Sequence, residues 1–309
     1  MELKQALEQL ASLQTKMYAF RCASSSLYLD SVTVAPSDTA QGRDFLDAQS
    51  GELDQLQRRQ VEELTRSYRQ LQRIPADEYM AYAQLTNKAS DVWHKAKENN
   101  DFAAFQPLLE QLVDVNRRFA SYYDPDKAPY DALLNEYERG VDSVYLDRFF
   151  AVVRERLVPV IHAIGDREQP DDSFLHRHYP VESQRRFSDY LMDVLGLDRA
   201  HCTIGETEHP FTLEFNNKDV RITTHYNEDN MASSMYSVIH EGGHARYELN
   251  IADEVQYTCL SGGVSMGVHE SQSRFYENII GRSRPFIQAV FPKLQEFFPQ
   301  QLCDVTEEQ

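Results

Sequence analysis

Residues 236–250 read Tyr-Ser-Val-Ile-His-Glu-Gly-Gly-His-Ala-Arg-Tyr-Glu-Leu-Asn, so His240 and His244 stand four residues apart with Glu241 beside the first. On a helix, positions i and i+4 share a face about 6 Å apart along the axis, and both imidazoles can reach one cation at about 2.0–2.1 Å. Glu241 is turned about 100° from His240 on such a helix. Its carboxylate then stands beside an open coordination position, where it can take a proton from water. The flanking residues suit a helix: Asn227 as its cap, Glu228 and Asp229 in the first turn, and Met231, Met235, Val238 and Ile239 as an apolar side. Each mid-helix glycine costs about 1 kcal/mol relative to Ala. Gly242 and Gly243 therefore need a local reason, which close approach of a substrate or a neighbouring helix would supply. The plainer reading is two structural histidines on a solvated face; the His-Glu-x-x-His pattern and its glycines favour a metal.

A third ligand has to come from elsewhere. Glu248 lies two turns beyond His240, about 12 Å along the axis, too far to share a tetrahedral ion, and is expected to face solvent. A second helix is predicted over 267–278, entered from Ser261-Gly262-Gly263, and both Glu270 and Glu277 on it qualify sterically, two turns apart. Asp253 and Glu254 are weaker candidates in an apparent loop. Two His and one Glu leave a position for water, as catalytic rather than closed structural sites do.

Upstream, Phe211, Leu213 and Phe215 alternate with polar residues, and so do Val220 and Ile222. This predicts a hairpin over 211–224, either a strand beside the cleft to which an extended peptide adds or a small structural ribbon. Arg221 is a candidate partner for a carboxylate, although an acidic chain offers it many others. His209, before Pro210, is a candidate for substrate contact or for a backbone hydrogen bond, and His225 can line the same cleft. His269 faces about 100° away from Glu270 and is a candidate for substrate contact or for support behind the ligands.

His240-Glu241-x-Gly243-His244 followed by His269-Glu270-Ser271-Gln272, with His209-Pro210-Phe211 and Asp219-Val220-Arg221-Ile222-Thr223 upstream, resembles the carboxypeptidase Taq family of metallocarboxypeptidases. The segments 93–105 and 130–164 resemble it too. The resemblance implies a mainly α, multi-helix zincin-like fold with a small β-hairpin or sheet beside the metal helix. It implies a catalytic metal, removal of C-terminal residues from peptides, and a homodimer. Carried onto this sequence, it makes His240, His244 and Glu270 the ligands and Glu241 the general base. Two imidazoles and a carboxylate accept Zn2+, with Co2+ or Mn2+ as alternatives. The chain matches the N-terminal three-fifths of a typical member, whose remainder carries an Ile-Arg-x-x-Ala-Asp motif with a further candidate for gripping the substrate terminus.

A net charge of −18, with 31 basic against 49 acidic residues, argues against a phosphate-binding face and hence nucleic acid. Anionic membranes are disfavoured likewise, and no apolar run is long enough for an ordinary transmembrane helix. The four cysteines, Cys22, Cys202, Cys259 and Cys303, form no close pair. With a charged amino terminus lacking an apolar core, they point to reduced thiols and a cytoplasmic location. Helices are predicted over 2–22, 39–73, from 77 past Trp93 to Ala96, and over 102–123, 183–195 and the segment ending near 164. The linker at 165–172 suggests a helical region, 1–165, and a metal-binding region, 166–309, with metal helices at about 228–249 and 265–281; the two can also form one continuous domain. Residues 305–309 read as a capping box that starts a further helix.

The sequence thus predicts a metal-dependent carboxypeptidase acting on peptides with a free C-terminus. Its rivals are a metal-binding but catalytically inactive module and a zinc endopeptidase.

Overall fold

A computed structural model of the chain describes residues 53–308. The helix expected over 2–22 and the first part of that over 39–73 lie outside the described residues. Contacts divide the chain into two compact units between Leu133 and Leu134, ahead of the expected linker.

In the first unit, α1 (Gln55–Gln72) is opened by a capping box: Asp54 accepts from the Gln57 backbone and Gln57 accepts in return. Next come α2 (Ala76–Glu98) and α3 (Phe102–Tyr123), the latter capped by Asp101. They pack through small and aromatic residues, with Ala89 and Phe119 buried and Tyr82 edge-on to Phe119 at 5.2 Å. Tyr82 is half-buried against Phe119. His94 is surface, near Glu98. The helix α4 (Pro129–Tyr137) carries the division between the units.

The second unit holds α5 (Ser143–Gly165), α6 (Val181–Val194), a three-stranded sheet, α7 (Met231–Leu249), α8 (Met266–Arg274) and α9 (Arg284–Phe297). Just past α6, Gly196 takes a φ of +66°, the left-handed conformation that ends helices at glycine. The strands are β1 (Cys202–Glu206), β2 (Thr212–Asn216) and β3 (Asp219–Thr224), in the order β1-β3-β2. β3 pairs antiparallel with β2, as the hairpin reading requires, and parallel with β1, which the sequence did not reveal. Val220 and Ile222 of the central strand are buried in one cluster with Leu191 of α6, Val238 and Ile239 of α7, and Leu294 of α9. The fold is mostly helical with one small sheet.

Three expectations need correction. The cap of α7 is Asn230, whose side chain accepts from the Ser233 backbone; Asn227 instead closes a local turn onto Asp229, and Glu228 and Asp229 precede the helix. The second metal helix does not run regularly to 281, because from Phe275 to Gly281 it widens into a π-helix, a form that often accompanies functional sites. Residues 305–308 make a turn and no helix; Glu307 and Glu308 are engaged by Gln288 and Arg284 of α9.

Both glycines of α7 answer to packing. A Cβ on Gly243 would lie 2.8 Å from Cα of Ser273 and 3.0 Å from the carbonyl oxygen of Gln272, so the backbone of α8 fills that space. A Cβ on Gly242 would meet only the flexible end of Leu195, at 2.5 Å. Gly243→Ala is expected to destabilise the second unit by about 1–3 kcal/mol despite its better helix propensity. Gly242→Ala should cost less, because the leucine can rotate away. Denaturant unfolding of both variants checks the order; a Gly242→Ala chain weaker than Gly243→Ala would contradict the backbone contact.

Candidate metal centre

α7 and α8 run together so that three ligand atoms converge, one each from His240, His244 and Glu270, all within 4.8 Å of one another. Oε2 of Glu270 lies 3.6 Å from Nε2 of His240 and 3.4 Å from Nε2 of His244. Ligands at about 2.0–2.1 Å around a tetrahedral ion stand about 3.3–3.5 Å apart. The donor set fits a divalent cation, and the two carboxylate–imidazole separations match that spacing. Both imidazoles present Nε2 to this point because their Nδ1 atoms are engaged on the far side.

That far side is built from residues with no direct reach to the ion. Nδ1 of His240 meets Oε2 of Glu277 at 2.9 Å, so the second of the two sterically eligible glutamates backs a ligand. Arg282 Nη2 donates to Glu277 at 2.9 Å and lies over the Tyr236 ring. Arg274, one turn after Glu270, donates through Nε to Glu270 at 2.7 Å and through Nη1 to Glu277 at 3.1 Å. Burial raises the pKa of Glu270, but the bonds from Arg274 and Ser273 outweigh it and hold the carboxyl below its usual range. Burial, together with nearby His269 and His240, pushes His244 down to about 4. Its ring is therefore neutral near neutral pH, the form that ligates a metal.

Glu241 is 6% exposed. Thr212 of β2 donates Oγ1 to its Oε2 at 2.7 Å, and that hydroxyl also lies 3.2 Å from the Glu241 carbonyl oxygen. Burial raises the Glu241 pKa, with Thr212, His240 and His209 pulling it the other way. A buried carboxyl raised in this way is a candidate for proton transfer. Thr212 was not picked out from the sequence, although its alternation with Phe211 and Leu213 put it on the same face as its partner Ile222.

The remaining candidates separate. His209 is exposed, and its charge is felt at Glu241. Arg221 is held by Asp219 through two bonds of 2.9 Å and stacks over Phe215 at 4.7 Å. His225 sits 3.2 Å from the Thr207 carbonyl oxygen. His269 lies behind His244, their Nδ1 atoms 2.6 Å apart. Glu248, expected in solvent, is 3% exposed and takes a 2.6 Å bond from Nε2 of His269. The packing of α8 against the C-terminal half of α7 covers it.

Residues 35–309 match the family model for carboxypeptidase Taq (M32) metallopeptidases. Carboxypeptidase 1 of Bacillus subtilis is 40% identical over 264 residues, 85% of this chain and 53% of that protein. Thermostable carboxypeptidase 1 of Pyrococcus furiosus is 35% identical, over 80% of this chain and 50% of that protein. Among solved structures, that of BsuCP matches with a TM-score of 0.88 at 37% identity, over 92% of this chain and 57% of that one. The M32 carboxypeptidase from Deinococcus radiodurans R1 matches with a TM-score of 0.80 at 32% identity, over all of this chain and 60% of that one. The chain thus spans about half the length of the curated relatives it matches. It belongs to the carboxypeptidase Taq (M32) metallopeptidase family.

Proposed function

We propose that this chain carries the metal-dependent hydrolytic centre of a carboxypeptidase that removes C-terminal residues from peptides. His240, His244 and Glu270 would hold the ion, Zn2+ by preference for two imidazoles and a carboxylate, with Co2+ or Mn2+ as substitutes. The observation that carries the reading is the placement of Glu270 Oε2 between the two Nε2 atoms, with buried Glu241 next to His240 on the same helix.

The bound ion would supply Lewis-acid polarisation of the scissile carbonyl and of the attacking water. Glu241 does the proton work. Thr212 fixes its Oε2, and the other oxygen, Oε1, takes the proton from water and returns it to the leaving amine. Arg274 keeps Glu270 ionised as a ligand. Among the described residues β2 is an edge strand, and its outer edge can pair with an extended peptide by main-chain hydrogen bonds. His209, exposed and close enough for its charge to act on Glu241, is our candidate for contact with the reacting peptide. Arg221 would receive a substrate carboxylate only by exchanging it for that of Asp219. The homodimer implied by the resemblance belongs to the same proposal.

That occupied guanidinium favours one second reading, a chain that binds metal without hydrolysing peptides. Elemental analysis of the purified chain should find one divalent ion per chain, and Glu270→Ala should lose it. Glu241→Gln should keep the ion and lose hydrolysis by about 10²–10⁴-fold, the usual worth of a positioned base. Metal without release of C-terminal amino acids from the unmodified chain would support the second reading. Amidating the peptide's C-terminus should abolish cleavage; continued cleavage would make the protein an endopeptidase.

A further inference from the structure

We infer that Glu248 is a positioning residue that acts through His269 to fix the tautomer of His244, leaving Nε2 of His244 free to ligate. The inference rests on the metal reading above for its purpose, while its hydrogen-bond logic stands on the geometry alone.

Three side chains form a line. Nδ1 of His244 lies 2.6 Å from Nδ1 of His269, and Nε2 of His269 lies 2.6 Å from Oε1 of Glu248. Their centroids lie 4.5 Å apart and their planes meet at 23°. Tyr247 closes on the His269 ring from another side, at 5.0 Å. A carboxylate only accepts, so His269 must place its N–H at Nε2. A neutral His269 then has only a lone pair at Nδ1. The single proton between the two Nδ1 atoms therefore belongs to His244, whose Nε2 is left bare on the side of Glu270. Reversing any link puts a proton on the nitrogen that must ligate.

His240 reaches the same end by a shorter route, since its Nδ1 meets the carboxylate of Glu277 directly. Each ligating imidazole is thus backed by a carboxylate, one directly and one through an intervening ring. Such backing fixes ring orientation as well as tautomer. The burial of Glu248 supports the assignment, because a buried carboxylate requires a donor. His269 supplies one.

Two measurements on the full chain test this. In the metal-free protein, long-range 15N–1H correlation of the imidazoles should show the proton of His244 on Nδ1 and that of His269 on Nε2. The opposite assignment for either ring overturns the proposal, whatever the variants do. Zinc affinity by chelator competition should fall about 10–100-fold in Glu248→Leu and in His269→Phe, the usual worth of such support. Glu248→Gln, which still offers an acceptor at the same place, should recover most of it. Equal losses in Glu248→Leu and Glu248→Gln, or affinity within twofold of the parent in both Glu248→Leu and His269→Phe, would reduce Glu248 to a packing role. Absence of zinc binding by the parent chain would remove the metal reading, and the tautomer assignment would still decide the relay.

Discussion

The backbones of α7 and α8 touch at Gly243, and the arrangement of the metal centre follows from that contact. A side chain there would push α8 outward by the thickness of a methyl group, and Glu270 with it. Glu270 now stands 3.4 and 3.6 Å from the two histidine nitrogens, so a small outward shift would spread the ligands beyond what one small ion can span. The helix-propensity cost of the glycine is therefore tied to ligand geometry. Gly242 makes a different adjustment, admitting Leu195 and joining α7 to the apolar cluster beneath it.

Around that contact the carboxylates are sorted by their surroundings. Burial acts on Glu241, Glu270 and Glu277 in the same direction, toward the neutral form. The difference lies in their partners. Glu270 and Glu277 receive guanidinium donors from Arg274 and Arg282, and both are held below the ordinary range. Glu241 receives a neutral hydroxyl from Thr212 and stays above it. Pushing neighbouring carboxyls apart in this way is the pattern that the proposed division into anionic ligand and proton acceptor would need. Arg274 does so for two acids at once, which its position one turn beyond Glu270 permits.

Much of this centre is legible in the sequence, because helical spacing alone brings His240, Glu241 and His244 to one end of a shared face. Choosing between Glu270 and Glu277 by spacing is not possible, as two turns separate them and both lie near the same face. The choice follows from how α8 crosses α7 and from the π-helical widening that carries Glu277 to the Nδ1 side of His240. Glu248 is buried although too far along the helix to ligate, because it bonds the His269 imidazole, a partner on another helix that spacing within α7 does not show. β1 escaped notice because Cys202-Thr203-Ile204-Gly205-Glu206 has little strand pattern of its own and gains its order by pairing with β3. In β2 the alternation reveals the strand but not its covered face. Phe211, Leu213 and Phe215 are the exposed set, and Thr212 turns toward α7.

Apolar side chains lie exposed on two elements of the second unit, α5 and β2. No residue of α5 is buried, and Val144, Phe149, Phe150, Leu157, Ile161 and Ile164 all lie open. Among the described residues no helix is long and apolar enough to cross a membrane. The ligands, by contrast, sit on elements whose own core is closed: the bases of α7 and β3 are buried together with α6 and α9. The proposed ion site therefore rests on packing already present in this chain. Under the proposed function, gripping a peptide terminus would fall to open surfaces and to a guanidinium that Asp219 occupies. The two capacities have separate structural foundations, so one can survive the loss of the other.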